Sequence, residues 1–150
     1  MLSNQALNKA AELCSKSERC SWEISRKLHD WGLSDEQSDH IIGQLQKEKF
    51  IDDNRYAHFF ARDKFRFNKW GKIKIAYELR MRNIPNELIQ SVLNEINNDS
   101  YLETLQDLLK AKASGLKAKD QWDKRSKLMR FAQGRGFEAD VTLKVIENYI

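Results

Sequence analysis

An apolar skeleton that recurs three times constrains this chain more than any other feature. Take Leu33, Ile84 and Phe137 as equivalent: Ile41, Val92 and Val145 then lie eight residues on, and Ile42, Leu93 and Ile146 nine on. Leu45, Ile96 and Tyr149 lie twelve on. Upstream, Leu28, Leu79 and Ala132 stand five residues before, and Ile24, Ile75 and Leu128 nine before. The residue just ahead of the anchor is Gly32, Asn83 or Gly136. Gly is free of the Cβ clash in the left-handed region and Asn tolerates it, so this position suits the residue that closes a helix. Each copy therefore reads as a helix, a tight turn and a second helix, with a period of 51–53 residues.

A further helix precedes each pair. It carries Ala6, Leu7, Ala10, Ala11, Leu13 and Cys14 in the first copy. In the second it carries Tyr56, Ala57, Phe59, Phe60 and Ala61, running on to Phe65 or Phe67. In the third it carries Tyr101, Leu102, Leu105, Leu108 and Leu109. The expected fold is all-α: three tandem three-helix repeats over residues 1–52, 53–98 and 99–150. Each unit is small, so stacking on a neighbour has to supply part of its stability, and an elongated, curved array with a right-angled or crescent-like outline is expected. One proline and six glycines in 150 residues agree with a chain that is mostly helix.

The helix ends carry their own signals. Ser34 with Gln37, and Ser100 with Glu103, read as capping boxes. Pro85 fits the first turn of a helix, and Glu138 and Asp140 place negative charge in another first turn. Residues 113–120 read as the longest loop. Asp52 and Asp53 sit where a helix N-cap belongs, with Phe50 and Ile51 placed to pack back across it as a hydrophobic staple does.

Charge is segregated along the chain. The formal net charge is +4, yet residues 55–82 carry nine Lys and Arg against two acids, and residues 110–135 again nine against two. Between them, residues 83–109 hold five acids and no Lys or Arg. Two bands of positive surface suit phosphate or an acidic protein face, where evenly spread cations would be ordinary solvated surface. After Arg55, the first band comprises Arg62, Lys64, Arg66, Lys69, Lys72, Lys74, Arg80 and Arg82, interleaved with Phe65, Phe67 and Trp70. Cations on phosphates with bases stacked on rings would hold a single strand. The competing reading packs the aromatics in the repeat core and leaves only the cations exposed. It is favoured for Phe65 and Phe67, while Trp70, in the loop before Gly71, divides evenly. In the second band Lys124, Arg125, Lys127 and Arg130 fall on successive turns of one helix, with Arg135 beyond.

Enzymatic chemistry finds little support. His29, His40 and His58 lie far apart without an HExxH spacing, and there is no GxxxxGK[ST] phosphate loop. Cys14 and Cys20 form neither a zinc pattern nor a disulfide framework, so the reducing cytoplasm is expected. No catalytic residue, metal ligand or cofactor is expected. The first residues lack a secretory leader pattern, and no apolar run reaches membrane-span length.

The junction Ile51, Asp52, Asp53, Arg55, Tyr56, Ala57 resembles the hydrophobic-D-D-x-R-[FY]-A signature of the RecX family, bacterial regulators of the recombinase RecA. Arg19, Ser21, Glu23, Ile24, Lys27, Leu28, Gly32 and Leu33 are similar to a second line of that family, with Glu23 one place early and Trp31 where a basic residue is usual. Gly71, Ile75, Glu78, Leu79, Asn83 and Ile84 are similar to a third, with Asn83 for the commoner Gly. The third copy is similar only in its apolar skeleton. What the resemblance implies is a non-enzymatic modulator acting as a monomer. It would bind the RecA–DNA filament, limit its ATPase and strand exchange, and bind single- or double-stranded DNA only weakly alone. The alternatives are a nucleic-acid-binding helical repeat without RecA dependence and a plain interaction scaffold.

Overall fold

The computed structural model describes all 150 residues and contains helices, turns and no strand. Nine helices follow in order: α1 (Ser3–Lys16), α2 (Ser21–Asp30), α3 (Asp35–Lys47), α4 (Asp53–Arg66), α5 (Lys72–Met81), α6 (Asn86–Asn94), α7 (Asn98–Ser114), α8 (Gln121–Gly134) and α9 (Ala139–Tyr149). Helices pack side by side in threes: α1–α3, α4–α6 and α7–α9.

The spacing seen in the sequence has a local cause. Gly32, Asn83 and Gly136 all take positive φ, at 88°, 59° and 91°. The next N–H then reaches back to the carbonyl five residues earlier: Leu33 to Leu28 at 3.1 Å, Ile84 to Leu79 at 3.1 Å, Phe137 to Ala132 at 3.0 Å. These are Schellman turns, in which the residues joined by that bond also pack together. The anchor and the apolar position five before it are therefore the two ends of one turn. All six are buried. The anchors plus eight, Ile41, Val92 and Val145, are buried as well. The twelfth position diverges: Leu45 is buried, Ile96 half-buried and Tyr149 exposed.

Several helix ends differ from expectation. Helix α7 is capped by Asn97, whose side chain accepts from the Ser100 N–H at 2.9 Å, so Ser100 and Glu103 form no box. An Asn one turn upstream reaches the same amide, and the helix starts there. Glu138 holds the N-cap position of α9 without capping it, because its carboxylate is taken by the Tyr101 hydroxyl. Pro85 stands just before α6 rather than within its first turn. Helix α7 runs on to Ser114, which leaves the loop as residues 115–120. Ile51 does not staple α4. Phe50 and Ile51 both donate to the Leu45 carbonyl, through a turn in which Lys49 takes φ 65°, and Ile51 is buried with the first repeat. The Ser34–Gln37 box is present in both directions, at 3.2 and 2.9 Å.

Two cores result. Ala6, Ala10, Ile24, Leu28, Leu33, Ile41, Leu45 and Ile51 make one, wholly within α1–α3 and the turn after it. The other has twenty residues, nineteen from the second and third repeats and Cys20 from the first. The chain exposes 9463 Å² for a mass of 17.7 kDa, where a compact monomer of that mass exposes about 7,900 Å². The excess is what a row of small units leaves uncovered.

The repeats are joined by polar seams. Between the first and second, the Asp53 carboxylate accepts from the Ser21 N–H at the start of α2 (2.8 Å), and Arg55 pairs with Glu18 at 2.7 Å. Between the second and third, Gly71 N–H donates to the Arg135 carbonyl (2.8 Å) and Ile73 N–H to the Gly136 carbonyl (2.9 Å). A Cβ on Gly71 would stand 2.3 Å from the Gly136 carbonyl, so backbone meets backbone there. The Tyr101 hydroxyl closes the seam, accepting from Lys72 N–H at 2.9 Å and donating to Glu138.

Candidate nucleic-acid interface

The first basic band does not form one patch. Part of it lies in a ladder of rings and cations that crosses two repeats. Arg26 lies over the Trp22 ring at 4.7 Å, and Arg82 between Trp22 at 6.0 Å and Phe60 at 5.0 Å. Lys64 follows, over Phe60 at 5.5 Å and Trp70 at 4.9 Å, and Lys74 lies over Trp70 at 4.6 Å. The Trp70 ring meets Phe60 edge-on at 6.1 Å. Helix α4 delivers Phe60 and Lys64 one turn apart, and a wide turn after it, with Lys69 at φ 57°, brings Trp70 back so that its N–H bonds the Lys64 carbonyl at 3.1 Å. Each such contact contributes about 0.5–1 kcal/mol while holding a cation at the surface.

Arg82 is the most constrained of these cations. Its guanidinium also donates to the Glu78 carbonyl at 2.9 Å and pairs with the Glu78 carboxylate at 3.6 Å. Arg62 and Arg66, one turn apart on α4, face elsewhere and line a groove with His58, Glu95, Asn97 and Ser100. Arg62 lies 3.7 Å from Asp63, while Arg66 has no ion pair. Lys69 donates to the Arg66 carbonyl at 2.8 Å, and Arg80 bonds Asn86 at 3.2 Å. Lys72 lies over the Tyr101 ring at 4.9 Å. Phe65 is buried against Tyr101, whereas Phe67 is 76% exposed, against the favoured packing reading, because α4 ends there and the chain turns away. Trp70 is half-buried.

The second band divides likewise. Arg135 joins the first: its guanidinium donates to the Asn68 carbonyl at 2.8 Å, at the Gly71–Gly136 seam. Lys124 and Arg125 lie at the far end of α8, lining a groove with Ile146 and Glu147 of α9. Neither they nor Arg130 have an ion pair, but Lys127 pairs with Asp123 at 3.1 Å. The Lys119 N–H, with Lys127 second, holds the Asp123 carboxyl below the usual carboxylate range. Sequence reasoning missed Trp22, Arg26 and Phe60. The signal for the first two was their spacing, four residues apart on one helix.

The motif residues have structural work. Asp52 caps α4 through the Arg55 N–H at 3.0 Å, while Asp53 serves α2. Both carboxylates are thus committed to amides, and no cluster of His, Cys, Asp and Glu in the structure could hold a metal ion. Glu23 bonds back to the Cys20 N–H at 3.3 Å, which its early position allows. Burial pushes the Cys20 thiol up to about 12, so the sulfur is an inert core group. No helix is long and apolar enough to cross a membrane.

Family models of the second and third three-helix domains of RecX match residues 52–93 and 99–146. The chain is 31% identical over 146 residues to Regulatory protein RecX of Prosthecochloris aestuarii, covering 97% of this chain and 94% of that one. The chain belongs to the RecX family. Regulatory protein RecX of Clostridium acetobutylicum is 31% identical over 137 residues, covering 88% of this chain and 63% of that relative, so the share of a relative's length that it spans varies widely. A crystal structure of RecX from Lactobacillus salivarius has the same fold, with a TM-score of 0.86 at 20% identity over 98% of this chain and 96% of that one. A second RecX crystal structure gives a TM-score of 0.87 at 19% identity. The relatives are regulatory proteins, and the matched family models are of three-helix domains, like the second and third repeats of this chain.

Proposed function

We propose that this chain binds RecA filaments on DNA and inhibits them, limiting ATP hydrolysis, filament extension and strand exchange in recombination and repair. The observation that carries the reading is the ladder of cations and rings crossing two repeats of an extended RecX-family body. A long body with positive charge displayed at intervals suits a periodic polyanion-bearing filament better than a single small ligand. In this reading the body, with units at residues 1–52, 53–98 and 99–150, lodges along the filament and bridges its subunits. Lys64, Arg66, Lys69, Lys72, Lys74, Arg80, Lys124, Arg125 and Arg130 are the candidates with most charge to give, since none has an ion pair. Arg82 and Arg135 act chiefly by holding the repeats together. The protein works as a monomer in the cytoplasm, the compartment that suits its two free cysteines.

The test is RecA's DNA-dependent ATPase with and without the protein. Inhibition is expected at sub-stoichiometric to stoichiometric protein, and charge reversal at Lys124, Arg125 and Arg130 should weaken it without changing the melting temperature. Removing a cation that touches a phosphate should also lower the log–log salt slope of binding by about 0.7–0.9. An unaltered ATPase together with salt-dependent DNA binding would replace this reading with that of a RecA-independent nucleic-acid binder.

A further inference from the structure

Helix α5 carries an apolar stripe on the side away from the core. Ile75, Ala76 and Leu79 are buried, yet Ile73, Tyr77 and Met81 are 55%, 58% and 50% exposed. They stand four residues apart, on one line along the helix at about 100° per residue. On the same projection Arg80 flanks one side of the line and Lys74 the other. The two acids of residues 55–82 are both neutralised, Asp63 by Arg62 and Glu78 by Arg82. The stripe is also held still: Ile73 N–H bonds the Gly136 carbonyl, and Lys72 N–H the Tyr101 hydroxyl, so the start of α5 is fixed to the third repeat.

We infer that this face of α5 docks a protein surface bearing an apolar ridge flanked by carboxylates. Three large apolar side chains in a row on a fixed helix lose little entropy on binding and mark an interaction surface. The flanking Lys74 and Arg80 choose the charge of what covers them. A second copy of this chain would set like charges against one another across the stripe. A nucleic-acid backbone would meet Lys74 and Arg80 but leave Ile73 and Met81 facing phosphate, which rewards neither. The inference rests on the proposed function, under which the owner of that surface is the RecA filament; Lys74 then stands where the ladder, toward nucleic acid, meets the α5 stripe, toward protein.

The experiment compares the parent with Tyr77→Ser/Met81→Ser and with Arg80→Glu, each verified by circular dichroism and melting temperature. Binding is measured to RecA filaments on single-stranded DNA, to the same DNA alone, and to anionic lipid vesicles. The double variant should lose about tenfold or more in filament binding, with binding to DNA alone within about twofold of the parent. Arg80→Glu should weaken filament binding at low salt, with the difference shrinking at high salt. Equal filament binding by parent and double variant overturns this inference alone. A parallel loss of binding to DNA would make the stripe a nucleic-acid surface, and stripe-dependent vesicle binding a lipid one; either overturns it too. A parent that does not bind filaments overturns the function reading and this partner with it.

Discussion

Asp52 and Asp53 are neighbours in the chain and serve different helices. Asp52 caps α4, its own helix, and Asp53 caps α2 in the repeat before. Losing either cap should cost about 1 kcal/mol, but the effects should appear in different places. In Asp53→Ala, hydrogen exchange at the first-turn amides of α2 is expected to accelerate, while Asp52→Ala leaves those amides protected. Equal protection of α2 in both variants would mean that the cross-repeat bond holds nothing. His29 makes a separate bond inside the first repeat, to Asp35 at 2.5 Å across the α2–α3 turn. That carboxylate, and then the Ser25 carbonyl, raise its pKa above 6.5. Since the folded value is the higher one, the bond stabilises the first repeat fully below about pH 6.5. The contribution fades as pH rises through the folded value. An NMR titration should place His29 above 6.5, and Asp35→Asn should bring it down. The equivalent position in the second repeat uses Arg80 and Asn86, bonded at 3.2 Å.

At the level of helices and turns, the Gly71–Gly136 contact sets how the second and third repeats meet. Adding a methyl group to Gly71 places it 2.3 Å from the Gly136 backbone, which cannot give way without opening the seam. Gly71→Ala should therefore cost about 2 kcal/mol or more. Gly43, inside α3, has nothing within 4 Å of a built Cβ. Gly43→Ala should instead gain about 0.5–1 kcal/mol from helix propensity. Chemical denaturation of the two variants measures both. Shifts of the same sign would show that conformational entropy, not the backbone contact, governs position 71. The two glycines look alike in sequence, and only the approach of another backbone separates them.

Across the whole molecule, the division into two cores predicts how the chain comes apart. Leu28 belongs to the eight-residue core of the first repeat, and Leu79 to the core shared by the other two. Truncating either to Ala should cost about 2–5 kcal/mol. The small core has little to spare, and it is tied to the rest by polar bonds and by Cys20 and Trp22, which pack on the larger core. Leu28→Ala is expected to split thermal unfolding into two transitions, the lower one reported by Trp31. Leu79→Ala should lower the larger transition. A single coincident transition in Leu28→Ala, by fluorescence and circular dichroism alike, would show that Cys20 and the Asp53 and Arg55 bonds couple the cores fully.

The sequence alone determined what is local. The helix content, the three left-handed turns and the buried anchors follow from a Gly or Asn at the turn and an apolar pair five residues apart. Such signals need only neighbours in the chain, and they repeat because the turn repeats. The Asp52 cap and the Ser34–Gln37 box were legible for the same reason. The tertiary structure alone decided everything between repeats: that Asp53 reaches α2, that Gly71 lies on Gly136, and that Cys20 joins the larger core. It also decided that candidate residues which run together in sequence as two basic bands spread over a ladder, two grooves, a seam and the flank of a stripe. Charge runs along the chain carry no information about which helix face they occupy or what lies across from it. Three-dimensional proximity supplies that: it sets Arg82 between Phe60 and Trp22 of the preceding repeat, and Arg135 on the Asn68 carbonyl of the preceding repeat.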